Sequence, residues 1–415
     1  MFKEKYFKLA YDLAERGRGK CSPNPFVGAV IVKNDKIIGK GFTQPYGNDH
    51  AEIQAIKDAN SSDSTSKRSV ELRTKNAEMY VTLEPCAHFG KTPPCADAII
   101  KAGIKKVYAG IKDPNPLVNG KGFQKLKEAG IEVKTGFWEE KISEQLEYYI
   151  TFITQKRPFV FMKNAVSLDG KIATESGDAK WISGPESREF VHHLRNEVDV
   201  ILTGIGTVLA DDPLLNVRIK PSEWLRSEEL SHSTFGMVEN LKKSDVPTIA
   251  KVFNHSQGFN HPTRVILDSN LKIPLNSKIV QTANEIKTII FIRQDLRDKQ
   301  DKIAELKTFG VEIVLVSSDK NFTNSGNLLS LEMVLNELYK RNYYSVMIEA
   351  GSKICSSFLS EKLVDKFFYF ISPKIVGGNF SLFRELKISR MKEAIKLKID
   401  RIENIGDDIL LIGYL

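Results

Sequence analysis

Cysteine is scarce in this chain, with four among 415 residues. Four are too few for the disulfide framework of a small secreted domain. No apolar run approaches the length that crosses a bilayer. The first residues read Met-Phe-Lys-Glu-Lys-Tyr, without the apolar core of a signal peptide. The cytoplasm is therefore the expected compartment, and no membrane partner is expected. Basic residues are in excess, giving a net charge of +8, but they are scattered rather than blocked. There is no basic stripe with interleaved aromatics, so no nucleic-acid partner is expected. The positive balance suits solvated helix faces and, more weakly, small phosphorylated ligands. An internal repeat is missing, and so is a complete G-x-G-x-x-G fingerprint.

What is present is enough chain for two cores. Helix and strand alternate from the start. Tyr6, Phe7, Ala10, Leu13 and Ala14 recur at helical spacing. Segments 27–32 and 36–41 read as strands around an Asn34-Asp35 turn. A helix follows over 51–59, a strand over 78–83, a helix over 96–102 and a strand over 106–111. A helix over 123–129 and a strand over 131–134 complete the pattern of an α/β layer domain. A charged helix over 139–152 leads to Gln155-Lys-Arg-Pro158, which separates a domain of residues 1–150 from one of 157–415. The rhythm then restarts. Strands are expected over 159–164, 199–203, 264–267, 288–292, 311–316 and 345–348, with a last pair over 366–371 and 409–415. Helices are expected over 186–196 and 353–359. The polar segments 61–69 and 219–262 read as surface insertions.

The chemistry concentrates in His50-Ala-Glu52 and Pro85-Cys86-x8-Cys95. One imidazole and two thiolates are soft zinc ligands, and three of them leave a fourth tetrahedral position for water. Glu52, two residues after the histidine at a helix start, can face that water and move its proton. Nucleobase deaminases share this order of elements, with a narrower cysteine spacing. His88 is the candidate for a fourth ligand that would close the site and make it structural. The Glu52 spacing and Pro85-Cys86 favour the open, catalytic alternative. Cys21 and Cys355 read as small buried hydrophobes. In the second half, Gly204-x-Gly206 and Gly351 follow strands and open towards helices, a weak signal for a bound nucleotide.

The motifs Pro23-Asn-Pro-Phe-Val-Gly28, His50-Ala-Glu52, Thr82-Leu-Glu-Pro-Cys86, Gly90-Lys-Thr-Pro-Pro-Cys95 and Asp113-Pro-Asn-Pro116 resemble the deaminase half of the bifunctional riboflavin-biosynthesis deaminase/reductase family. The runs Ala165–Lys171, Lys180-Trp-Ile-Ser183, Leu202–Pro213, Leu267-Asp-Ser269 and Ile348–Ser352 resemble its reductase half, in the same order. The resemblance implies an N-terminal cytidine-deaminase-like three-layer domain and a C-terminal dihydrofolate-reductase-like domain. It implies one Zn2+ on His50, Cys86 and Cys95, with Glu52 as proton shuttle and pocket contacts by Asn24, His88 and Lys91. NADPH is implied at Ala165, Trp181, Thr207, Asp211, Ser269 and Gly351. The sugar-phosphate substrate is implied at Ala179, Arg195, Leu215, Arg218 and Glu349. One departure is Thr43, where the family often has a histidine. The expected activities are deamination of a phosphorylated pyrimidine and reduction of its ribosyl chain, in an enzyme expected to be a homo-oligomer. The alternative is an RNA or nucleoside deaminase with a non-catalytic C-terminal module.

Overall fold

A computed structural model of the chain describes residues 2–61, 73–218, 261–296, 299–317 and 329–415. Apart from Ser61, His261 and Pro262, the two polar insertions lie outside the described residues. Contacts divide the chain into two compact units between Lys156 and Arg157.

The first unit contains α1 (Glu4–Ala14), β1 (Gly28–Lys33), β2 (Lys36–Phe42), α2 (Ala51–Ser61), β3 (Glu78–Leu83), α3 (Cys95–Lys101), β4 (Lys106–Ile111), α4 (Lys121–Glu128), β5 (Glu132–Lys134), α5 (Glu139–Gln145) and α6 (Glu147–Gln155). Its sheet runs β2-β1-β3-β4-β5. Asn34 and Asp35 both take positive φ, as the tight turn joining β1 to β2 requires. β1 pairs antiparallel with β2 and β3, whereas β3, β4 and β5 are parallel.

Small residues set how closely the helices approach this sheet. A Cβ on Gly28 would lie 1.8 Å from Ala10 O in α1. On β2, a Cβ on Gly39 would lie 2.2 Å from Ala55 O, and one on Gly41 would lie 2.1 Å from Ala51 O. Ala51, Ala55 and Ala59 form the buried stripe of α2 at four-residue spacing. Gly41 pairs with Ala29, the residue after Gly28, and successive residues face opposite sides of a sheet. Thus α1 and α2 cover opposite faces, and the unit has three layers. The helix expected over 139–152 is two helices. Leu146 leaves helical geometry at φ −101°, ψ 17°, and its side chain is fully buried.

The second unit contains β6 (Phe159–Ser167), α7 (Pro185–Glu197), β7 (Val200–Gly204), α8 (Ile205–Asp211), β8 (Thr263–Leu267), α9 (Lys278–Gln281), β9 (Thr288–Arg293), α10 (Gln300–Thr308), β10 (Val311–Val316), α11 (Leu331–Lys340), β11 (Ser345–Ile348), α12 (Ser352–Ser360), β12 (Lys366–Ser372), β13 (Lys398–Ile405) and β14 (Asp408–Tyr414). Its strand order is β10-β9-β8-β7-β11-β6-β12-β14-β13. The strands are parallel from β10 through β12, and the terminal hairpin is antiparallel. Val160, Met162, Leu202, Val265, Ile289 and Ile348 form one packed cluster with α11 and α12. The ends of β6, β11, β7 and β8 emerge on one edge of the sheet, where parallel α/β sheets place their ligands.

β13 escaped the sequence reading. Its sequence, Lys-Ile-Asp-Arg-Ile-Glu-Asn-Ile, lies at the sheet edge, mostly exposed, and lacks an apolar face of regular period. The hairpin nevertheless has a structural duty. Buried Asp408, the first residue of β14, accepts hydrogen bonds from Gly184 N at 2.7 Å and Ser187 Oγ at 2.6 Å. A carboxylate is thereby set at the N-terminus of α7, where the helix dipole favours it.

Candidate active sites

In the first unit, β3 ends at Leu83 and delivers Cys86. Cys95 opens α3, and His50 immediately precedes α2. His50 Nδ1 lies 3.7 Å from Cys86 Sγ and 3.3 Å from Cys95 Sγ, and the three ligand atoms lie within 4.8 Å of one another. Tetrahedral zinc with ordinary bond lengths places nitrogen and sulfur ligands about 3.6 Å apart, so the three residues fit that ion. The chemistry of the donor set agrees. A hydrogen bond from the Cys95 thiol, with a further one from His50, holds Cys86 down at about 4, well inside the thiolate range, although burial opposes it. Cys95 N–H also points at Cys86 Sγ, at 3.3 Å.

Glu52 is the second residue of α2 and is 4% exposed. Burial, followed by the Cys86 charge, raises its carboxyl to about 7. It therefore sits where it can both take and release a proton near neutral pH. The glycine face of β2 explains its position, because α2 is seated almost backbone to backbone on that strand. Lys91 is exposed, and its ammonium lies 4.2 Å from the Tyr46 ring centroid, so the 43–49 and 89–94 loops adjoin. His88 Nδ1 is buried without a hydrogen-bond partner among the described residues. Asn24 lies in the turn closed by its own N–H to Cys21 O at 2.8 Å. Thr43, at the position of the family histidine, is buried, and its hydroxyl accepts Val27 N–H at 3.0 Å.

Sequence reasoning missed Glu84. This buried carboxylate accepts four backbone N–H groups, from Asp113 at 3.1 Å, Gly120 at 2.9 Å, Gly122 at 2.9 Å and Phe123 at 3.3 Å. It ties the Asp113–Pro116 turn and the start of α4 to the chain two residues before Cys86. The signal was a carboxylate directly before Pro85-Cys86, inside a motif that was read only for its cysteine.

In the second unit, Thr207, Asp211, Ser269 and Gly351 line one cavity of about 790 Å³, together with Ala179. A cavity of that size accommodates a large organic cofactor. Ala165 and Trp181 do not line it. Ala165 pairs with Phe370 across the β6–β12 ladder, and Trp181 is 65% exposed, with the Arg188 guanidinium 4.6 Å from its ring centroid. Arg195 from α7 and Glu349 after β11 form a two-bond ion pair at 2.7 and 2.8 Å. Burial alone would raise Glu349, but the Arg195 charge and hydrogen bonds hold it at about 2. Arg195 also donates to Asn216 O at 3.2 Å, and Arg218 N donates to His192 Nδ1 at 3.2 Å. Leu215, buried at positive φ, belongs to the same segment. Arg195, Leu215, Arg218 and Glu349 thus share a second neighbourhood.

Lys163 was also missed. It lies on β6, and burial lowers its pKa; Glu349 and Arg195 are its charged neighbours. A lysine inside the otherwise apolar run Phe159–Met162 and Ala165-Val166 was the available signal.

The two units define a class: a zinc deaminase of the nucleobase type, followed by a reductase of dihydrofolate-reductase-like fold. Comparison with known proteins narrows the class. Residues 1–111 match the cytidine and deoxycytidylate deaminase zinc-binding region, and residues 158–411 match the RibD C-terminal domain. The riboflavin biosynthesis protein RibD of Aquifex aeolicus is 38% identical, over 98% of this chain and 96% of that protein. The Escherichia coli protein of the same name is 32% identical, over 98% of each chain. A solved structure from Thermotoga maritima, described as a diaminohydroxyphosphoribosylaminopyrimidine deaminase/5-amino-6-(5-phosphoribosylamino)uracil reductase, is 35% identical with a TM-score of 0.78, covering 99% of this chain and 98% of that one. The chain belongs to the RibD family of bifunctional riboflavin-biosynthesis enzymes, whose cofactors are zinc and NADPH.

Proposed function

We propose that the first unit deaminates the pyrimidine ring of 2,5-diamino-6-ribosylamino-4(3H)-pyrimidinone 5′-phosphate and that the second reduces the ribosyl chain of the product to ribityl. The observation that carries the reading is the His50, Cys86 and Cys95 cluster, with buried Glu52 one residue into α2. Zinc held by those three residues supplies Lewis-acid activation of water at neutral pH. Glu52 takes a proton on its carboxylate and returns it to the departing amine. Asn24, His88 and Lys91 contact the substrate, with Lys91 near its phosphate.

In the second unit NADPH supplies the hydride. Its contacts are Thr207, Asp211, Ser269 and Gly351, which line the cavity, and Ala165 and Trp181, which the family resemblance adds from outside that lining. Ala179, Arg195, Leu215, Arg218 and Glu349 hold the sugar phosphate. Lys163, buried on β6 with the Arg195–Glu349 pair as its charged neighbours, donates to the sugar carbonyl oxygen as that oxygen gains negative charge. Among the described residues no helix is long and apolar enough to cross a membrane. The four free thiols suit the cytoplasm. A homo-oligomer is supported by Ile399 and Ile402, which are 54% and 63% exposed on the edge strand β13.

The test is a mass spectrum of products from the diaminopyrimidine phosphate, with and without NADPH. Replacement of amine by oxygen without cofactor, and a further gain of two hydrogens only with NADPH, is the expected result. Unchanged substrate on zinc-loaded protein would overturn the assignment and favour the RNA deaminase alternative.

A further inference from the structure

We propose that His192 positions Arg218 for the 5′-phosphate of the reductase substrate. The inference rests on the sugar-phosphate reading above and adds the residue that aims Arg218.

Segment 212–218, Asp-Pro-Leu-Leu-Asn-Val-Arg, follows α8 and is neither helix nor strand. Asp212 and Leu215 take φ +40° and +47°, a left-handed backbone that such residues keep only where their surroundings hold them. Among the described residues, no backbone group of 213–218 bonds to another backbone group. Side chains hold the segment instead. Two arginines stand in for N–H donors: Arg264 Nη1 donates to Leu214 O at 3.1 Å, and Arg195 Nη1 donates to Asn216 O at 3.2 Å. Two imidazoles stand in for carbonyls: His261 Nδ1 accepts Val217 N–H and His192 Nδ1 accepts Arg218 N–H, both at 3.2 Å. Asp212 Oδ1 accepts Lys278 N–H at 2.8 Å and ties down the near end.

These anchors differ in what backs them. Arg264 is fully buried on β8 and also donates to Ile279 O, Ile286 O and the Thr282 and Thr288 hydroxyls, at 2.7–3.0 Å. It fixes Leu214 to β8, α9 and β9. Arg195 is held by its two bonds to Glu349. The far end depends on His192. Arg218 is exposed, and its N–H to His192 is the one hydrogen bond that its backbone makes among the described residues. Only a neutral imidazole can accept there, because the charged ring has no free lone pair. Burial, then the Arg195 and Arg218 charges, lowers His192 to about 4, so the ring is neutral at ordinary pH. His192 and Arg195 lie three residues apart on α7, so one helix face grips both the Asn216 carbonyl and the Arg218 N–H. A guanidinium binds phosphate through two parallel hydrogen bonds, which requires its stem to start from a fixed place. His192 supplies that place and acts through Arg218, without needing to touch the substrate.

The test is the kinetics of reduction by the full-length, zinc-loaded protein, using the deaminated intermediate with and without its 5′-phosphate. His192→Leu and His192→Gln both remove the acceptor, the glutamine because its amide reaches the Nε2 position instead. His192→Asn keeps an oxygen near the Nδ1 position. The first two variants are expected to raise KM for the phosphorylated substrate by about 3- to 10-fold, the net effect of one hydrogen bond. Their kcat, their KM for NADPH, their kcat/KM for the dephosphorylated substrate and their deaminase rate are expected to stay unchanged. His192→Asn should recover most of the loss. Arg218→Gln should itself raise KM for the phosphorylated substrate, and adding His192→Leu to it should change nothing further. An unchanged KM in His192→Leu and His192→Gln, an equal loss on both substrates, or full additivity with Arg218→Gln would overturn the proposal. An Arg218→Gln protein with wild-type KM for the phosphorylated substrate would instead overturn the sugar-phosphate reading beneath it.

Discussion

Replacing Gly41 by alanine should disable the first reaction while sparing the second. The new Cβ would stand 2.1 Å from Ala51 O and 2.5 Å from Ala55 N, whereas ordinary contact begins at 3.4 Å. Both neighbours are helix backbone, so no side chain can rotate away. The start of α2 must withdraw by the difference between 3.4 and 2.1 Å, 1.3 Å. His50 and Glu52 flank Ala51 and move with it. Overpacking of this kind costs about 1–3 kcal/mol of stability. A displacement of about 1 Å in a catalytic group costs roughly 100-fold in rate. The assay measures both reactions on one preparation, starting the second from the already deaminated intermediate, and measures bound zinc alongside. The expected result is a deaminase rate lower by about 100-fold, an unchanged reductase rate and a folded first unit that retains part of its zinc. A Gly41→Ala protein with wild-type deaminase rate and full zinc would refute the claim that the glycine face of β2 positions the site.

Glu52→Gln should retain zinc and lose about 1000-fold in deamination, with reduction of the deaminated intermediate unaffected; appreciable deamination by this variant would remove Glu52 from proton transfer. Glu84→Gln replaces one acceptor oxygen by an N–H donor facing N–H groups, and should destabilise the first unit by about 1–3 kcal/mol in thermal unfolding. An unchanged melting temperature would show that the four hydrogen bonds to Glu84 are dispensable. Glu349 is held at about 2, against an ordinary 4.5, by Arg195 despite burial. A lowered folded-state pKa stabilises above the unfolded value and is lost as pH falls through the folded one. The Glu349 contribution to the stability of the second unit should therefore fall by about 3 kcal/mol between about pH 4.5 and 2, and Glu349→Gln should be less stable at neutral pH and lose correspondingly less across that window. Parallel acid profiles for the two proteins would contradict this.

The metal cluster was legible because its chemistry demands residue types at fixed places: a histidine before one helix, a cysteine opening another, and a carboxylate two residues beyond the histidine. Strands buried on both faces, such as β1 and β7, were legible as continuous apolar runs. Edge strand β13 was not, since exposure removes the pattern on which such reading depends. Leu146 was also illegible: the residues either side of it keep helical composition, and only the tertiary burial of its side chain reveals the break between α5 and α6. Glu84 and Lys163 were missed for a shared reason. Each derives its meaning from groups far along the chain, Gly120–Phe123 for one and Arg195 with Glu349 for the other, and local sequence carries no trace of those neighbours.

The Asp408 cap on α7 has a consequence for biosynthesis. Every strand of the first sheet has been synthesised once Lys134 has been made, so that unit can complete its fold early, as soon as this segment emerges. The second unit cannot. Its central strand β6 waits for β11 and β12, nearly two hundred residues later, and α7, which carries Arg195, lacks its capping carboxylate until Asp408 is made. During translation the chain therefore passes through a stage with a finished deaminase and an unfinished reductase. Nascent chains stalled before residue 398 should resist protease over residues 1–156 and be cut readily beyond them.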